Sequence, residues 1–310
     1  MKKILIKPQS TRSTQRKLYF YSFKALYSYM LCFKYRFSVF SVFSVVILIL
    51  LFSLCLAGCE RREAHIILAG STSVQPYAEV LDEEFILLYP DSAIDIQGGG
   101  SSAGITAVQS GTADIGMSSR SLTDKEESLW SCEIAKDGLA IIVHPLNPVQ
   151  KLTLGEICDI YSAKITDWSE LGGTNAKIHI IAREEGSGTR SAFESLVMTN
   201  SQITAKAIVQ DSNGSVRQLV SGDKNSIGFI SLGLVDHTVK AMPLNGVAPT
   251  RENVINGSYS LWRPFLFVTE KEPLGSVKQF IDFILSEEGQ QILVNEGLIN
   301  GSDAVSGFGN

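Results

Sequence analysis

His65-Ile-Ile-Leu-Ala-Gly-Ser-Thr-Ser-Val-Gln-Pro-Tyr-Ala-Glu-Val-Leu-Asp-Glu-Glu-Phe-Ile-Leu-Leu-Tyr89 changes periodicity part-way along its length. His65 to Ala69 is a short apolar run, the pattern of a buried strand. Gly70-Ser71-Thr72-Ser73 then interrupts it. From Val74 to Tyr89 the apolar Val80, Leu81, Phe85 and Leu88 recur at helical spacing. The segment therefore reads as strand, glycine–hydroxyl turn, helix.

The same unit recurs outward from it. Ala93 to Gln97 is strand-like and enters Gly98-Gly-Gly-Ser-Ser-Ala-Gly104, with a helix from Ile105 to Gln109. Lys177 to Ala182 enters Arg183-Glu-Glu-Gly-Ser-Gly-Thr-Arg190, with a helix from Ser191 to Val197. Asp114 to Met117 is a short strand, and Leu139 to His144 is a buried strand stopped by Pro145 and Pro148. Leu154 to Tyr161 reads as a helix; Ile227 to Ile230, Lys240 to Leu244 and Pro264 to Thr269 read as strands. Ser276 to Asn295 reads as one long amphipathic helix. This alternation predicts α/β architecture with mostly parallel sheets. In such sheets ligands bind beyond the carboxyl ends of strands, which directs attention to the strand-to-helix junctions.

Those junctions share one chemistry. Glycine lets backbone approach a ligand closely. Free N–H groups at a helix start, with the helix dipole behind them, favour an anion. Ser and Thr hydroxyls add donors without charge, and Arg183 adds a planar fork suited to a tetrahedral oxyanion. A single junction of this kind is usually a cap and a turn. Three of them, one carrying Arg, point to an oxyanion site. Asp114-Ile-Gly-Met-Ser-Ser-Arg120 has the same character, with Thr123-Asp-Lys-Glu126 resembling a capping box beyond it.

Charge narrows the class. Nine of the 27 Lys/Arg and none of the 32 Asp/Glu lie in Met1–Gly58, leaving eighteen basic against thirty-two acidic residues and a formal charge of −14 beyond it. Such a body argues against a nucleic-acid partner. It also excludes long-range attraction of an anion, so any anion site must work through local donors. His65, His144, His179 and His237 are scattered, and no metal-ligand spacing or cofactor motif is present.

Phe37 to Ala57 is almost wholly apolar, with Lys34 and Arg36 upstream, as in a signal peptide. It ends in Leu56-Ala-Gly-Cys59, which resembles the bacterial lipobox, whose cysteine is lipidated. The other reading is a plain transmembrane helix. The charged Glu60-Arg-Arg-Glu63 that follows at once favours the lipobox. The expected division is residues 1–58 as signal peptide with an N-terminal extension before Met30, and 59–64 as a lipid-anchored linker. Cys132 and Cys158 would remain in a compartment that permits disulfides.

Ala69-Gly-Ser-Thr-Ser-Val-Gln-Pro76, Gly99-Gly-Ser-Ser-Ala-Gly104, Asp114-Ile-Gly-Met-Ser-Ser-Arg120 and Arg183-Glu-Glu-Gly-Ser-Gly-Thr-Arg190, in that order, resemble the phosphate-binding proteins of phosphate ABC transporters. Leu152 to Gly173 and Arg263-Pro264 fit as well, so the resemblance covers essentially everything after His65. It implies two α/β lobes with mixed, mostly parallel sheets and a two-stranded hinge, the periplasmic-binding-protein type II arrangement, with the ligand in the cleft. Lobe 1 would be residues 65–144 plus 248–310, and lobe 2 residues 145–247. Hinge crossings would fall near His144–Pro148 and Leu244–Pro249. Carried over by motif, the phosphate-binding residues would be Thr72, Ser73, Ser101, Ser119, Arg183, Ser187, Gly188 and Thr189, with Glu185 and Arg120 behind them. The implied protein is an extracytoplasmic lipoprotein, acylated at Cys59, that delivers phosphate to a permease driven by an ATPase, and it has no catalytic residues.

One departure bears on selectivity. Some members of that family carry Asp where Ser119 stands, and that carboxylate accepts the proton of phosphate, which sulfate lacks. Here Ser119 is followed by Arg120, a form other members share. Glu185 or Glu184 is left either to accept the proton or to orient Arg183. Other functions stay open on the residues alone: a binder of sulfate or molybdate, a phosphate sensor, or a serine hydrolase. The last would use Gly100-Ser-Ser-Ala-Gly104 as a nucleophile elbow, with Asp211 or Asp223 and His237, but no lipase-type oxyanion-hole motif precedes it and the glycine run keeps company with the other anion loops.

Overall fold

The computed structural model describes residues 64–301, all within one unit of the chain, Glu63–Asn310. The signal segment and Cys59 lie outside the described residues. The strands are β1 (Ala64–Gly70), β2 (Ser92–Gly98), β3 (Ile115–Ser118), β4 (Trp130–Val143), β5 (His179–Arg183), β6 (Ile208–Gln210), β7 (Ser226–Ser231), β8 (Lys240–Ala241) and β9 (Trp262–Thr269). The α-helices are α1 (Gln75–Leu88), α2 (Ser101–Gln109), α3 (Leu154–Tyr161), α4 (Gly188–Phe193), α5 (Asn213–Gly222), α6 (Arg251–Ile255), α7 (Gly275–Leu285) and α8 (Glu287–Asn295).

The strands lie in the order β2-β1-β3-β9-β4-β7-β5-β6, with β8 beside β4. Pairings of β1 with β2 and β3, and of β5 with β6 and β7, are parallel, as strand–helix–strand connections allow. Among the named strands of the described residues, every antiparallel pairing involves β4 or β9. These two strands therefore link the two parallel sets. β4 pairs with β9 from Trp130 to Gly138 and with β7 from Leu139 to Val143.

Apolar side chains divide at the same place. One cluster holds Ile66, Leu68, Phe85, Ile115, Phe265, Phe267 and Phe280, from β1, α1, β3, β9 and α7. Another holds Leu139, Ile141, Val143, Trp168, Phe193, Phe229 and Tyr259. Ala140 and Ile142, on the opposite face of β4, pack with Ile181, Val216 and Val220. Successive residues thus feed two cores, as expected where a strand is buried on both faces. Leu139, Ile141 and Val143 pack with the second cluster, as do Val254, Tyr259 and Leu261. The apolar division falls near Gly138 and Leu261, some residues to either side of the expected 144 and 248.

Several expected elements differ. The strand expected over Lys240–Leu244 is only Lys240–Ala241, and the helix expected over Ser191–Val197 is Gly188–Phe193 followed by a π-helical turn over Glu194–Met198. β4 begins at Trp130, well before Leu139. Its first half carries Glu133, Lys136 and Asp137, which mask the strand pattern in sequence. The single helix expected over Ser276–Asn295 is two. Ser286 takes an extended backbone (ψ 164°) and caps α8, its Oγ accepting from the Gly289 amide at 3.2 Å.

Gly104 lies where α2 crosses β1. A methyl group there would sit 2.3 Å from the Ala69 carbonyl oxygen and 2.7 Å from Gly70 Cα. Both obstacles are backbone. Gly104→Ala is expected to destabilise the fold by about 1–3 kcal/mol, the usual cost of overpacking, read as a lowered urea midpoint.

Candidate functional site

The carboxyl ends of β1, β2, β3 and β5 meet. Their loops are tied by backbone: Gly99 and Gly100 donate to the Gly70 carbonyl at 2.8 and 2.9 Å, and Ser71 donates to the Met117 carbonyl at 2.9 Å. The α2 start carries no side-chain cap and follows Gly100 at φ 88°. Ser187 caps α4, accepting from the Arg190 amide at 3.3 Å.

Onto this frame the hydroxyls converge. Ser71 Oγ donates to Ser119 Oγ at 2.8 Å, and the Ser119 amide donates to Ser101 Oγ at 3.0 Å. Ser73 Oγ lies 2.9 Å from Thr189 Oγ1. The Asn213 amide group, at the start of α5, donates to Ser73 Oγ (2.9 Å) and Thr72 Oγ1 (3.3 Å). Ser73, Ser101, Ser119, Ser187, Thr189 and Asn213 are all buried. A methyl group on Gly188 would lie 2.2 Å from Ser101 Oγ and 2.4 Å from Ser119 Oγ, so the α4 start presses directly on the β2 and β3 loops. The Ser102 amide donating to the Gly186 carbonyl at 3.1 Å closes the same seam.

Arg183, at the end of β5, is 1% exposed. Its Nε and Nη2 each donate to a Glu184 carboxylate oxygen at 2.9 Å, and Nη2 also donates to the Asp211 carbonyl at 2.9 Å. The carboxylate that orients Arg183 is therefore Glu184. Glu185 is exposed and lines a separate cleft with Arg190, Glu194 and Thr204. Of the two acids left open by the sequence, only Glu184 touches the arginine, because the chain turns away at Gly186 (φ 95°).

A second buried pair enters from the linking strands. Arg263 on β9 donates through Nε and Nη2 to Asp137 Oδ2 on β4 at 3.2 and 3.0 Å, and Nη2 also donates to Ser73 Oγ at 3.0 Å. Ser231 Oγ donates to the other Asp137 oxygen at 2.7 Å. Burial pushes the Asp137 carboxyl up and the Arg263 guanidinium down, and their mutual contact opposes both shifts.

The structure thus gathers Thr72, Ser73, Ser101, Ser119, Arg183, Ser187, Gly188 and Thr189. Arg120 stands at the rim: it pairs with Glu126 at 2.8 Å and donates to Ser102 Oγ at 3.3 Å. That pairing holds the Glu126 carboxyl down at about 2. Ser71, Asn213 and Asp137 were not singled out in sequence. Asn213 follows Ser212, an ordinary helix cap, and Asp137 sits in the unread half of β4; neither position carries a local signal. Arg263 was visible only as part of a motif.

No hydrolase triad is assembled among the described residues. Ser102 Oγ accepts from Arg120, Asp223 bonds His179, and Asp211 accepts from Ser215 Oγ. Cys132 and Cys158 are free thiols against different apolar clusters, and burial pushes the Cys132 thiol up to about 12. No group of His, Cys, Asp and Glu among the described residues is placed to hold a metal ion. No described helix is long and apolar enough to cross a membrane.

The PBP superfamily domain matches residues 57–288. The phosphate-binding protein PstS of Bacillus subtilis is 31% identical over 244 residues, covering 77% of this chain and 81% of its own length. That of Pseudomonas aeruginosa is 32% identical over 262 residues, covering 74% and 81%. The chain belongs to the PstS family of phosphate-binding proteins. Solved structures agree with that membership. One, from Clostridium perfringens, is of a chain assigned as a phosphate ABC transporter substrate-binding protein with phosphate bound. It is 47% identical, covers 76% of this chain and 99% of its own, and superposes with a TM-score of 0.74. An ABC-type phosphate transport receptor from Vibrio cholerae is 39% identical, with coverages of 76% and 99% and a TM-score of 0.65. Like other PstS-family proteins the chain is a binding protein and not an enzyme.

Proposed function

We propose that this chain captures inorganic phosphate outside the cytoplasm and delivers it to an ABC importer. The observation that carries this reading is the buried shell of hydroxyls and a guanidinium, drawn from loops of both apolar halves. Ser73, Ser101 and Ser119 supply hydroxyls from one half, with Ser71 donating to Ser119 behind them. The α4 start supplies the amides of Gly188 and Thr189 from the other, and Arg183 supplies charge. Phosphate touching both halves would favour the closed arrangement, with β4 and β9 acting as hinge. The division near Gly138 and Leu261 is then the boundary between two lobes. With a formal charge of −14 outside Met1–Gly58, the body would hold its anion by directed donors and not by its overall field. Cys59 would carry the lipid anchor, and a permease with its ATPase would receive the phosphate.

Calorimetric titration with phosphate, sulfate and molybdate at two pH values tests the proposal. Sulfate binding as tight as phosphate would overturn it.

Ser119 sets a finer expectation. Each oxygen of Glu184 and of Asp137 already accepts a hydrogen bond from Arg183, Arg263 or Ser231. The Ser119 hydroxyl can accept the proton of HPO₄²⁻ in place of a carboxylate, and it tolerates an unprotonated anion as well. Ser119→Asp is therefore expected to strip away residual sulfate binding by tenfold or more, because a buried carboxylate repels an oxyanion that brings no proton. Competition of sulfate against labelled phosphate measures it.

A further inference from the structure

Arg183 and Arg263 are built alike. Each is almost fully buried, at 1% and 2% exposure. In each, Nε and Nη2 are committed to a carboxylate and to further oxygen acceptors, on Glu184, Gln210 and Asp211 for the first, Asp137 and Ser73 for the second. In each, Nη1 has no hydrogen-bond partner among the described residues. A charged guanidinium nitrogen left without an acceptor inside a protein is costly, so two in one polar shell call for a common acceptor.

They belong to the same shell. Arg263 Nη2 touches Ser73, and Ser73 touches Thr189 at the start of α4, six residues after Arg183. The Arg183 charge also bears on Arg263, depressing its hold on a proton. Two cations brought together in a dry shell repel each other, and an anion between them removes the repulsion.

We infer that Arg263, held by Asp137, is a second guanidinium contact for the bound oxyanion, offering Nη1 opposite Arg183 and setting affinity for a doubly charged anion. The inference rests on the phosphate reading above. It gives the Asp137–Arg263 pair a use that stability alone does not supply, since a buried ion pair is often matched or bettered by apolar residues. It also places a ligand contact on β9, one of the two strands that link the halves. Closure around the anion would then draw on β9 itself as well as on the loops.

The test uses the mature protein and inorganic phosphate. Arg263→Gln alone would strand the Asp137 charge, so the informative variant is the neutral double substitution Asp137→Asn with Arg263→Gln, alongside Arg263→Lys. The double variant is expected to bind phosphate at least tenfold more weakly and to show a smaller phosphate-induced rise in Tm. Arg263→Lys keeps the charge that Asp137 needs, yet one ammonium cannot serve Asp137, Ser73 and an anion together, so its binding should fall as well. A folded double variant, or a folded Arg263→Lys variant, that binds phosphate within twofold of the unsubstituted protein overturns the inference. If the double variant does not fold, Arg263→Lys decides alone. An unsubstituted protein with no phosphate affinity overturns the functional reading and this inference together, whereas normal affinity with indifferent variants overturns only the inference.

Discussion

Arg183→Ala is expected to weaken phosphate binding by on the order of 10²–10³-fold, with Arg183→Lys in between. The expectation follows from what Arg183 does in its place. It is buried at the end of β5, and Glu184 and the Asp211 carbonyl fix one edge of its fork. On the proposed reading the other edge would face the shell in a set orientation, and the anion would meet a charge already in position. Removing a buried, oriented charge partner of this kind costs about 3–4 kcal/mol of binding, which is the fold-change stated. Lysine restores charge but has no planar fork to satisfy Glu184, the carbonyl and the ligand at once. Calorimetry on both variants, with urea unfolding to separate lost binding from lost stability, checks the prediction. Alanine within tenfold of the unsubstituted protein would remove Arg183 from the site.

Gly188→Val should abolish tight binding while leaving each half folded. The space for a side chain at residue 188 is filled by Ser101 Oγ and Ser119 Oγ, which belong to the β2 and β3 loops. A valine there must push the α4 start away from those loops, and Ser73 would lose Thr189 in the same movement. The strain falls on the seam and not inside either apolar cluster, because Gly188 is the first residue of α4 and its side chain would face out of the second half. Phosphate affinity should fall a hundredfold or more, given that the α4 amides and the hydroxyls could no longer contact one anion together. Small-angle scattering should show no compaction on adding phosphate. A variant that still compacts and binds would mean the seam is looser than these contacts imply.

The junctions were legible because their information is local. Strand, glycine turn and helix start fall within about ten residues at Ala69–Pro76, Gly98–Gly104 and Arg183–Arg190. The caps that place them, such as Thr153 on α3 and Ser187 on α4, act over three residues. Hydroxyls and amides at such sites are committed to their role by neighbours in the chain. The break of the last helix at Ser286 is a local feature that sequence leaves open, since a serine reads equally well inside an amphipathic pattern or as a cap.

What sequence by itself determined about this protein is the set of four loops, their common chemistry and the α/β alternation that brings them to strand ends. Tertiary structure alone decided which charges complete the shell. Asp137 and Arg263 are 126 residues apart, and Arg263 reaches Ser73 across 190. Nothing near any of the three announces the others. They meet because β4 and β9 pair antiparallel across the middle of the sheet, with Asp137 opposite Arg263 in register. The choice of Glu184 over Glu185 has the same origin: a strand end and a turn at Gly186 aim adjacent side chains in different directions. Periodicity and capping are written within a turn or two of chain, while the pairing of buried charges depends on which strands become neighbours.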